Sequence, residues 1–528
     1  MQYHEERHPV HLRSIVIWGY TNQQWLWVPL ARELKRRHGA AIHLVTTNDA
    51  SVAFWKRQDV DGVIDSYTTV HHFFLAYGSV DESETVAYER ARQHETTYGL
   101  LATDALQADR HLGRGFAAAG PGHARSRLSD QATYERSINF FNRAAKFWEE
   151  YFDRVAPSLI IGTTSSVLGK LCVAIARHRR IPTRTLFLMY YQSYHGWGVD
   201  EYLAVPAIAS RYTVMSDAEA AAVVTDDALA AMRRIPFTDA YYRSFARQAS
   251  LRALVKKAWI QIRHAVYRRV RGVVTMGNYH LGEQLRALAR VRADFHRLMR
   301  MPLADASALA GMAYVFFPLH VEPESSVGLM SPEMNEQLAC IEFLAKNLPA
   351  GVRLVVKEHL PAIGRRPRDF YATLFDIPNV IMLSPYAYAL DVARGARAVA
   401  VITGTLGLES AVLGVPVISF GLHNMYGFLP HVHVVESWTA LRPLLAQLCV
   451  DHDAGARTQR QRDGRRFLAA LQQVGFDFSW SDYASKQRAP ATTREVEACY
   501  RSLLDSIEMG GASDACADNA QRPVPIAL

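Results

Sequence analysis

The sequence predicts an α/β protein with two doubly wound domains, each a parallel sheet covered by helices on both faces. Strand-like apolar runs alternate with amphipathic helices in the first part of the chain and again in the last part. A mostly helical stretch separates these two parts. The chain has 528 residues, which is too many for one ordinary core. These three observations together predict two α/β domains with a helical insertion between them.

The first domain is expected over residues 1–215. Its predicted strands cover residues 14–19, 41–47, 158–162 and 184–190, and its clearest helices cover 24–39, 139–155 and 167–180. Residues 216–310 are rich in Ala and Arg and are expected to form a helical connector or insertion.

The second domain is expected over residues 311–450. Its predicted strands cover residues 313–319, 352–359, 379–384, 398–404 and 416–421, and helices are expected at 335–348 and 408–414. Residues 451–509 are expected to form C-terminal helices. The segment 510–528 is small, polar and Pro-bearing, and is expected to be a disordered tail.

Two doubly wound domains that face each other across a cleft are typical of the GT-B fold of nucleotide-sugar enzymes. Periplasmic binding proteins also have two α/β domains, but the charged N-terminus of this sequence does not resemble a signal peptide. No apolar run approaches the roughly 18 residues that a membrane span needs. The five cysteines form no CxxC pair, which favours a reducing compartment. A cytoplasmic protein is therefore expected.

Candidate sites follow three predicted strands of the second domain, because open α/β sheets bind ligands beyond the carboxyl ends of their strands. The loop 318–326 offers His320 and Glu322, either as contacts to a ligand hydroxyl or nucleoside or as parts of a solvated loop. The loop 355–361 offers Lys357 and His359, which present N–H donors to phosphate oxygen. The alternative there is that Lys357 pairs with its neighbour Glu358 at the surface.

The third candidate is the segment 403–407, which links a strand to a helix expected at residue 408. A helix N-terminus with close backbone approach and extra hydroxyl groups is an anion site by geometry. The residues expected to contribute are Thr403, Gly404, Thr405, Gly407 and Glu409. The alternative is an ordinary capped turn in which Glu409 interacts with the helix dipole. The segment matches neither the Walker pattern nor GxGxxG.

The stretches "VFFPLHVEPESS", "VKEHLP", "IPNV" and "TGTLGLESAVLGVPVISFG", within residues 313–425, resemble bacterial capsule and surface-polysaccharide biosynthesis proteins of the GT-B fold. That group is related to β-Kdo transferases and, more distantly, to bacterial sialyltransferases. The resemblance implies that His359 lies near the donor phosphate and that Thr403 and Thr405 hold the same phosphate. One departure is that Leu360 stands between the histidine and Pro361, where the group has proline directly after histidine.

The resemblance implies a glycosyltransferase that moves a sugar from a nucleotide-activated donor, with CMP-Kdo or a similar CMP-linked acidic sugar favoured. The acceptor would be a capsule or lipopolysaccharide oligosaccharide, or a lipid-linked precursor. No Asp-x-Asp motif stands at a suitable strand end, so a metal-independent reaction without a further cofactor is expected. Two alternatives remain open: a nucleotide-sugar epimerase of the same fold, and a catalytically silent partner in capsule assembly or export.

The acceptor's base, or a carboxylate nucleophile if configuration is retained, is expected from the first domain. Candidates lie in the segments 19–25, 162–166 and 190–201. The last of these holds His195, Asp200 and Glu201 among aromatic residues suited to stacking on sugars. A structural role for each single residue remains the alternative.

The segment 251–272 carries seven Lys or Arg residues beside regularly spaced apolar residues, and the whole chain has a net charge of +8. A basic amphipathic helix of this kind suits an anionic membrane surface, which would make the protein peripheral on the inner membrane. The alternative is a helix that packs its apolar face on the domain core. Nucleic acid is not an expected partner, because no known binding module accompanies the helix.

Overall fold

In the computed structural model, the chain forms two compact units. The described residues are 11–19, 24–70, 72–73, 76–116, 124–125, 130, 133–162, 166–227, 229, 250–272, 279–322, 325–328, 330–334, 336–450, 454–478 and 491–517. Unit 1 comprises the described parts of Met1–Ala105, Thr133–Arg211 and Leu471–Leu528, and unit 2 those of Leu106–Ala132 and Tyr212–Ala470.

Strands and helices alternate along most of the described chain. The strands are β1 Ser14–Trp18, β2 Ala41–Thr46, β3 Ser66–Thr69, β4 Leu159–Ile161, β5 Thr183–Leu188, β6 Tyr194–Gly198, β7 Ala313–Pro318, β8 Val352–Lys357, β9 Val380–Leu383, β10 Ala398–Val401, β11 Val417–Ser419, β12 Val432–Val434 and β13 Phe476–Asp477. The helices are α1 Gln24–His38, α2 Asp49–Gln58, α3 Glu84–Tyr98, α4 Ala102–Gln107, α5 Tyr134–Val155, α6 Val167–His178, α7 Pro206–Val214, α8 Asp217–Val223, α9 Leu251–Arg271, α10 Leu281–Leu298, α11 Ser325–Gly328, α12 Gln337–Asn347, α13 Phe370–Asp376, α14 Ala389–Gly395, α15 Thr405–Val412, α16 Leu441–Val450, α17 Ala454–Val474 and α18 Thr493–Ala517.

Unit 1 is organised around a seven-stranded sheet with the strand order β13-β6-β5-β4-β1-β2-β3. The five strands from β5 to β3 are parallel, whereas β6 runs antiparallel to β5 and β13 antiparallel to β6. The C-terminal helix α18 packs against α1 and buries Cys499, Tyr500 and Leu503 in the core of this unit. The sheet is therefore completed by strands from two distant parts of the chain.

Unit 2 is organised around a six-stranded, fully parallel sheet with the order β12-β11-β10-β7-β8-β9. The central strands are largely buried, which explains their apolar sequences, such as "AVAV" in the fully buried β10. The first strand of this unit, β7, lies between β8 on one side and β10 on the other. The chain thus builds one half of the sheet outward from β7 and then returns to build the other half, which is the doubly wound arrangement.

The predicted fold class is confirmed, since each unit is an α/β domain with a largely parallel sheet. The cleft between the two domains stays a prediction. The segment 106–132, placed in the first domain by the sequence analysis, groups with unit 2, and the described residues from Leu471 onward group with unit 1. Helix α18 continues to Ala517 and so enters the segment 510–528 that was expected to be disordered.

Helices α9 and α10 pack against each other within unit 2 and lie in the segment 216–310 that the sequence predicts to be helical. Within α9 only Leu254 is buried. Among the described residues, no helix combines the length and the apolar character that crossing a bilayer requires.

Candidate functional site

The candidate site lies at the carboxyl edge of the unit 2 sheet, where β7, β8 and β10 end side by side. The register pairs Pro318 of β7 with Lys357 of β8, and β10 lies on the other side of β7. The strand order reverses between β7 and β10, and open α/β sheets bind their ligands at such a switch point. All three loops that the sequence analysis selected therefore leave the same edge of one sheet.

The loop after β8 is anchored by Glu358, whose side chain is fully buried. Its carboxylate accepts four hydrogen bonds: from Nε of Arg366 at 2.9 Å, from Nη2 of Arg366 at 2.8 Å, from the Tyr371 hydroxyl at 2.8 Å and from the backbone N–H of His359 at 2.6 Å. Burial by itself would lower the pKa of Arg366, but the Glu358 carboxylate outweighs it and raises that pKa. The suggested surface pair of Lys357 and Glu358 is wrong, because Arg366 is the partner of Glu358.

The loop after β7 is held through the backbone of His320. The His320 N–H donates to Oε1 of Gln337 at 2.6 Å, and its carbonyl accepts from Arg366 Nη2 at 2.6 Å and from Gln337 Nε2 at 3.2 Å. Arg366 thus connects the loop after β7 to the loop after β8. Both the N–H and the carbonyl of His320 are hydrogen-bonded, so its backbone is held in place independently of its ring.

The imidazole of His320 packs against the turn that follows β10. A Cβ atom placed on Gly404 would lie 3.2 Å from Nε2 of His320. Burial lowers the pKa of His320 to about 4, a hydrogen bond with the Thr403 backbone opposes this shift, and the charges of Arg366 and His359 add to it. The ring is therefore neutral at neutral pH, and its buried Nδ1 has no hydrogen-bond partner among the described residues.

The turn after β10 is shorter than predicted, because α15 begins at Thr405 instead of residue 408. Gly404 is the residue that precedes the helix, with φ 141° and ψ 157°, a conformation that is essentially restricted to glycine. Within the described part of the chain, no side chain caps this helix N-terminus. Thr405 is exposed in the first helical turn, whereas Thr403 is buried. An exposed hydroxyl therefore stands beside an uncapped helix N-terminus, as an anion site requires.

Gly407 lies inside α15, where its missing side chain is explained by packing. A Cβ atom at this position would lie 2.1 Å from the Tyr426 hydroxyl oxygen and 2.8 Å from Cγ2 of Val401. Its N–H donates to the Gly404 carbonyl at 3.1 Å. Gly407 therefore allows α15 to pack closely on the sheet, which is a different role from the close approach to a ligand that the sequence suggested.

His359 and Lys357 occupy different environments although they are two residues apart. His359 is exposed at the strand end. Partial desolvation by the surrounding protein lowers the pKa of its ring, Lys357 and Arg366 lower it further, and Glu358 raises it. Lys357 is buried, and this burial lowers its pKa to about 8 against the opposing effect of Glu358. His359 is thus the more accessible donor for a ligand at this edge.

The two candidate carboxylates, Glu322 and Glu409, both hold protons more tightly than usual. Burial raises the pKa of Glu322, and Nε2 of Gln337 donates a hydrogen bond to its Oε1. Burial raises the pKa of Glu409 to about 7. Glu409 lies one turn further into α15 than expected, because the helix begins earlier, so it does not occupy the first turn.

Asp200 and Glu201 lie away from the carboxyl edge of the unit 1 sheet. They follow β6, which runs antiparallel to β5, so that Gly198 pairs with Thr185 near the start of β5. Oδ1 of Asp200 accepts hydrogen bonds from the N–H groups of Tyr202 at 3.0 Å and Ala204 at 2.9 Å. Glu201 is buried and forms an ion pair with Arg177 at 3.0 Å. Asp200 closes a turn, and Glu201 balances the charge of Arg177. Neither residue lies at the carboxyl edge of the unit 1 sheet, where the other candidate loops of this unit begin.

The remaining acceptor-side candidates are only partly described. Residues 20–23 of the segment 19–25 and residues 163–165 of the segment 162–166 lie outside the described residues. These two segments follow β1 and β4, which are neighbours at the switch point of the unit 1 sheet. His195 is buried beside the rings of Phe476 and Phe478, and its Nδ1 lies 2.8 Å from the Ser193 carbonyl oxygen.

Sequence reasoning missed Arg366 and Gln337, the two residues that hold the loops of the site. A signal was present, because Glu358 directly follows an apolar strand and a buried carboxylate needs a cationic partner. Either arginine of the "GRR" segment after the strand was a candidate. Gln337 carried no comparable signal, since nothing in the sequence indicates that the first turn of α12 reaches the loop after β7.

Within the described ranges, no group of three or more His, Cys, Asp or Glu side chains has the arrangement of a metal site.

Comparisons with known proteins give distant structural matches alone. No protein family model matches the sequence, and no curated protein matches it. The solved structures similar to this chain include UDP-GlcNAc 2-epimerase from Neisseria meningitidis bound to UDP-GlcNAc, with 11% identity over 88% of this chain and 98% of that chain and a TM-score of 0.23. They also include UDP-GlcNAc 2-epimerase from Methanocaldococcus jannaschii in complex with UDP-GlcNAc and UDP, with 11% identity, 88% and 100% coverage and a TM-score of 0.26. A third is the glycotransferase of kitacinnamycin, with 12% identity, 88% and 98% coverage and a TM-score of 0.24. At these TM-scores, neither the reaction nor the substrate of these proteins can be assigned to this chain.

Proposed function

We propose that this protein is an enzyme that binds a nucleotide sugar and cleaves the bond between the sugar and the phosphate. The supporting observation is that three loops lie at one edge of the unit 2 sheet, at and beside its switch point. They contain His359, His320 and the turn 403–405. This edge combines an uncapped helix N-terminus, an exposed threonine hydroxyl and an exposed histidine. These are donors that suit a phosphate.

The donors at this edge would act mainly as the nucleotide departs. Cleavage of the sugar–phosphate bond leaves negative charge on the phosphate, and preorganised donors stabilise charge that develops in the transition state. His359 would donate to this oxygen, and the first-turn N–H groups of α15 would bind the same phosphate. His320, which is neutral, would shape the turn instead of binding the anion through charge.

Two reactions follow from this common first step. A glycosyltransferase would then pass the sugar to an acceptor, as the sequence resemblance implies. A nucleotide-sugar epimerase would instead need proton transfer at the sugar, and one observation favours it: Glu409, with a pKa near 7, follows the same strand end as the phosphate turn. Glu322 has a raised pKa as well and follows the neighbouring strand. Asp200 and Glu201 give the transferase reaction no base at a strand edge that binds ligands. We therefore favour proton-transfer chemistry.

The identities of the nucleotide and of the sugar are proposals, and each can be tested by experiment. A CMP-linked acidic sugar such as CMP-Kdo, and a role in capsule or lipopolysaccharide synthesis, rest on the sequence resemblance. A thermal-shift series with CMP, UDP and GDP and their sugars identifies the nucleotide. Incubation of the preferred nucleotide sugar without acceptor, followed by NMR, then separates the reactions: a new sugar epimer indicates the epimerase, and turnover that depends on added acceptor indicates the transferase.

The phosphate site is tested by His359→Ala with His11→Ala as the control, since both histidines are exposed. We expect His359→Ala to lower turnover by about 10²–10³ while leaving the melting temperature unchanged. His11→Ala should change neither. Thr405→Val should weaken nucleotide binding, because a methyl group replaces a hydroxyl beside the anion. Unchanged turnover in His359→Ala, or binding of no nucleotide by the wild type, would remove the basis of this proposal.

A further inference from the structure

Helix α9 exposes a continuous apolar stripe that no other described element covers. The residues Leu251, Val255, Trp259, Val266 and Val270 are spaced by four or seven residues, which places them on one face about 100° wide. Their exposed fractions are 62%, 62%, 65%, 56% and 77%, respectively. The sequence left open whether this apolar face packs on the domain core, and the exposures are against that alternative. Large apolar residues gathered on one exposed face indicate an interaction surface.

Basic side chains border this stripe along the helix. At 100° per residue, Arg252, Lys256 and Arg263 fall on one side of the stripe and Arg269 on the other. All four are exposed, as is Arg271 near the helix end. The helix α9 carries no acidic residue. The surface therefore combines an apolar centre with a positively charged border.

We propose that α9 docks unit 2 on an anionic phospholipid surface, with the stripe entering the interfacial layer and the basic border contacting lipid phosphates. A helix with an apolar face that includes Trp and with Lys and Arg on its polar side has the composition of helices that lie in the membrane interface. Each basic residue near an anionic leaflet adds to the attraction. The proposal is independent of the proposed function, since it needs no nucleotide.

Two other occupants fit this surface less well. A second copy of the chain would bring two positively charged borders together, and like charges across an interface are repelled. A nucleic acid would pair its phosphates with the basic border. Its phosphate backbone would not bury the apolar stripe, which has an exposed tryptophan at its centre. The anionic lipid surface satisfies the stripe and the border together.

The docking helix is linked to the candidate site through its neighbour α10. Val291 of α10 packs against Gly364 so closely that a Cβ atom on Gly364 would lie 2.7 Å from the Val291 Cα. Arg290 Nη2 donates to the Arg366 carbonyl at 3.3 Å. Because Arg366 holds both loops of the site, α10 joins the proposed membrane surface to the nucleotide edge within one unit.

The test is co-sedimentation of the full chain with vesicles of phosphatidylglycerol and phosphatidylcholine, compared with vesicles of phosphatidylcholine alone. The charge variant is Arg263→Glu, Arg269→Glu and Arg271→Glu, and the stripe variant is Trp259→Ser with Val266→Ser. A matched control reverses three exposed charges in unit 1: Arg57→Glu, Arg92→Glu and Arg494→Glu. All these positions are exposed, so folding should be retained, and circular dichroism checks it.

We expect the wild type to bind the anionic vesicles and to lose binding as salt is added. The charge variant should bind at least about 10²-fold more weakly, because three attractive charges become repulsive. The stripe variant should bind at least about tenfold more weakly, because less apolar surface is buried. The control should bind anionic vesicles much better than the charge variant.

Three outcomes would overturn the proposal. The first is that the wild type does not bind anionic vesicles, or that all variants bind them equally. The second is self-association by light scattering that the stripe variant abolishes while vesicle binding is unchanged, which assigns the surface to a second copy. The third is binding to duplex DNA that the charge variant abolishes, without binding to vesicles, which assigns it to nucleic acid.

Discussion

Replacing Arg366 by methionine removes the cation that holds Glu358. Glu358 is fully buried and accepts two of its four hydrogen bonds from Arg366. Methionine fills a similar volume but leaves a carboxylate without its charge partner in the core of unit 2. Breaking a buried pair in this way costs about 3–5 kcal/mol. The converse change, Glu358→Leu, leaves a buried guanidinium unpaired and should cost a similar amount.

The double variant Glu358→Leu with Arg366→Met should cost much less than the sum of the single changes. It leaves neither charge of the pair unpartnered, and the remaining loss is that of hydrogen bonds to the Tyr371 hydroxyl, the His359 N–H and the His320 carbonyl. At about 1 kcal/mol for each bond, the double variant should lose about 1–3 kcal/mol. The coupling between the two positions should therefore reach several kcal/mol.

Native-state hydrogen exchange followed by mass spectrometry measures this coupling in unit 2 alone. Peptides that cover β7 and β8 report the free energy of opening next to the ion pair. Peptides that cover β1 and β2 in unit 1 serve as the internal control and should keep the exchange rates of the wild type. A loss of stability below about 1 kcal/mol in Arg366→Met, or a loss in the double variant equal to the sum of the single losses, would contradict the coupling between the two positions.

Two further predictions concern the turn after β10. Gly404→Ala should lose about 1–3 kcal/mol of stability through backbone strain and should weaken nucleotide binding, since the new Cβ meets the ring of His320. Gly351→Ala is the control, because Gly351 has φ 84° and no atom of the described residues lies within 4 Å of its Cβ position. It should be strained without affecting nucleotide binding, which calorimetry measures. Glu409→Gln should stabilise the protein by about 1–3 kcal/mol at about pH 8. Because the pKa of Glu409 is raised in the folded state, the protonated carboxyl contributes its full stability below the unfolded-state pKa. This contribution is lost as the pH rises through the folded-state pKa of about 7. That gain should disappear near pH 4 in denaturant titrations, and a gain independent of pH would contradict the assignment of the raised pKa to Glu409.

Five of the six strands of unit 2 could be predicted because burial on both faces gives the central parallel strands mostly apolar sequences. The predicted strand 313–319 corresponds to β7, Ala313–Pro318, and 352–359 corresponds to β8, Val352–Lys357. The prediction of β8 was too long because Glu358 is polar yet buried, and its hydrogen bonds are visible only in three dimensions. Strands β3, β6, β12 and β13 were missed. Ser66–Thr69 has no large aliphatic residue, Tyr194–Gly198 contains two glycines, and Val432–Val434 and Phe476–Asp477 are too short to show a period.

The candidate site could be predicted as far as strand order allows. Loops that follow parallel strands must emerge at the same edge, so His320, His359 and Thr403 were grouped correctly at one edge from the sequence. The start of α15 at Thr405 could not be predicted, since threonine and glycine favour turns locally. Asp200 was a candidate because it lies among aromatic residues suited to stacking on sugars, but the sequence does not reveal that β6, which precedes it, runs antiparallel to β5.

The division of unit 1 among three chain segments has a consequence for synthesis on the ribosome. Most of unit 2 is one continuous stretch, Tyr212–Ala470, and can fold while the last residues are still being added. Unit 1 cannot complete its core until α18 has been made, because Cys499, Tyr500 and Leu503 cover α1. His38 of α1 also lies 2.8 Å from the Tyr500 hydroxyl, through its Nε2 atom. During translation the part of α1 that α18 covers therefore stays exposed until α18 has been made, and a stop before residue 493 would leave unit 1 without the helix that completes its core.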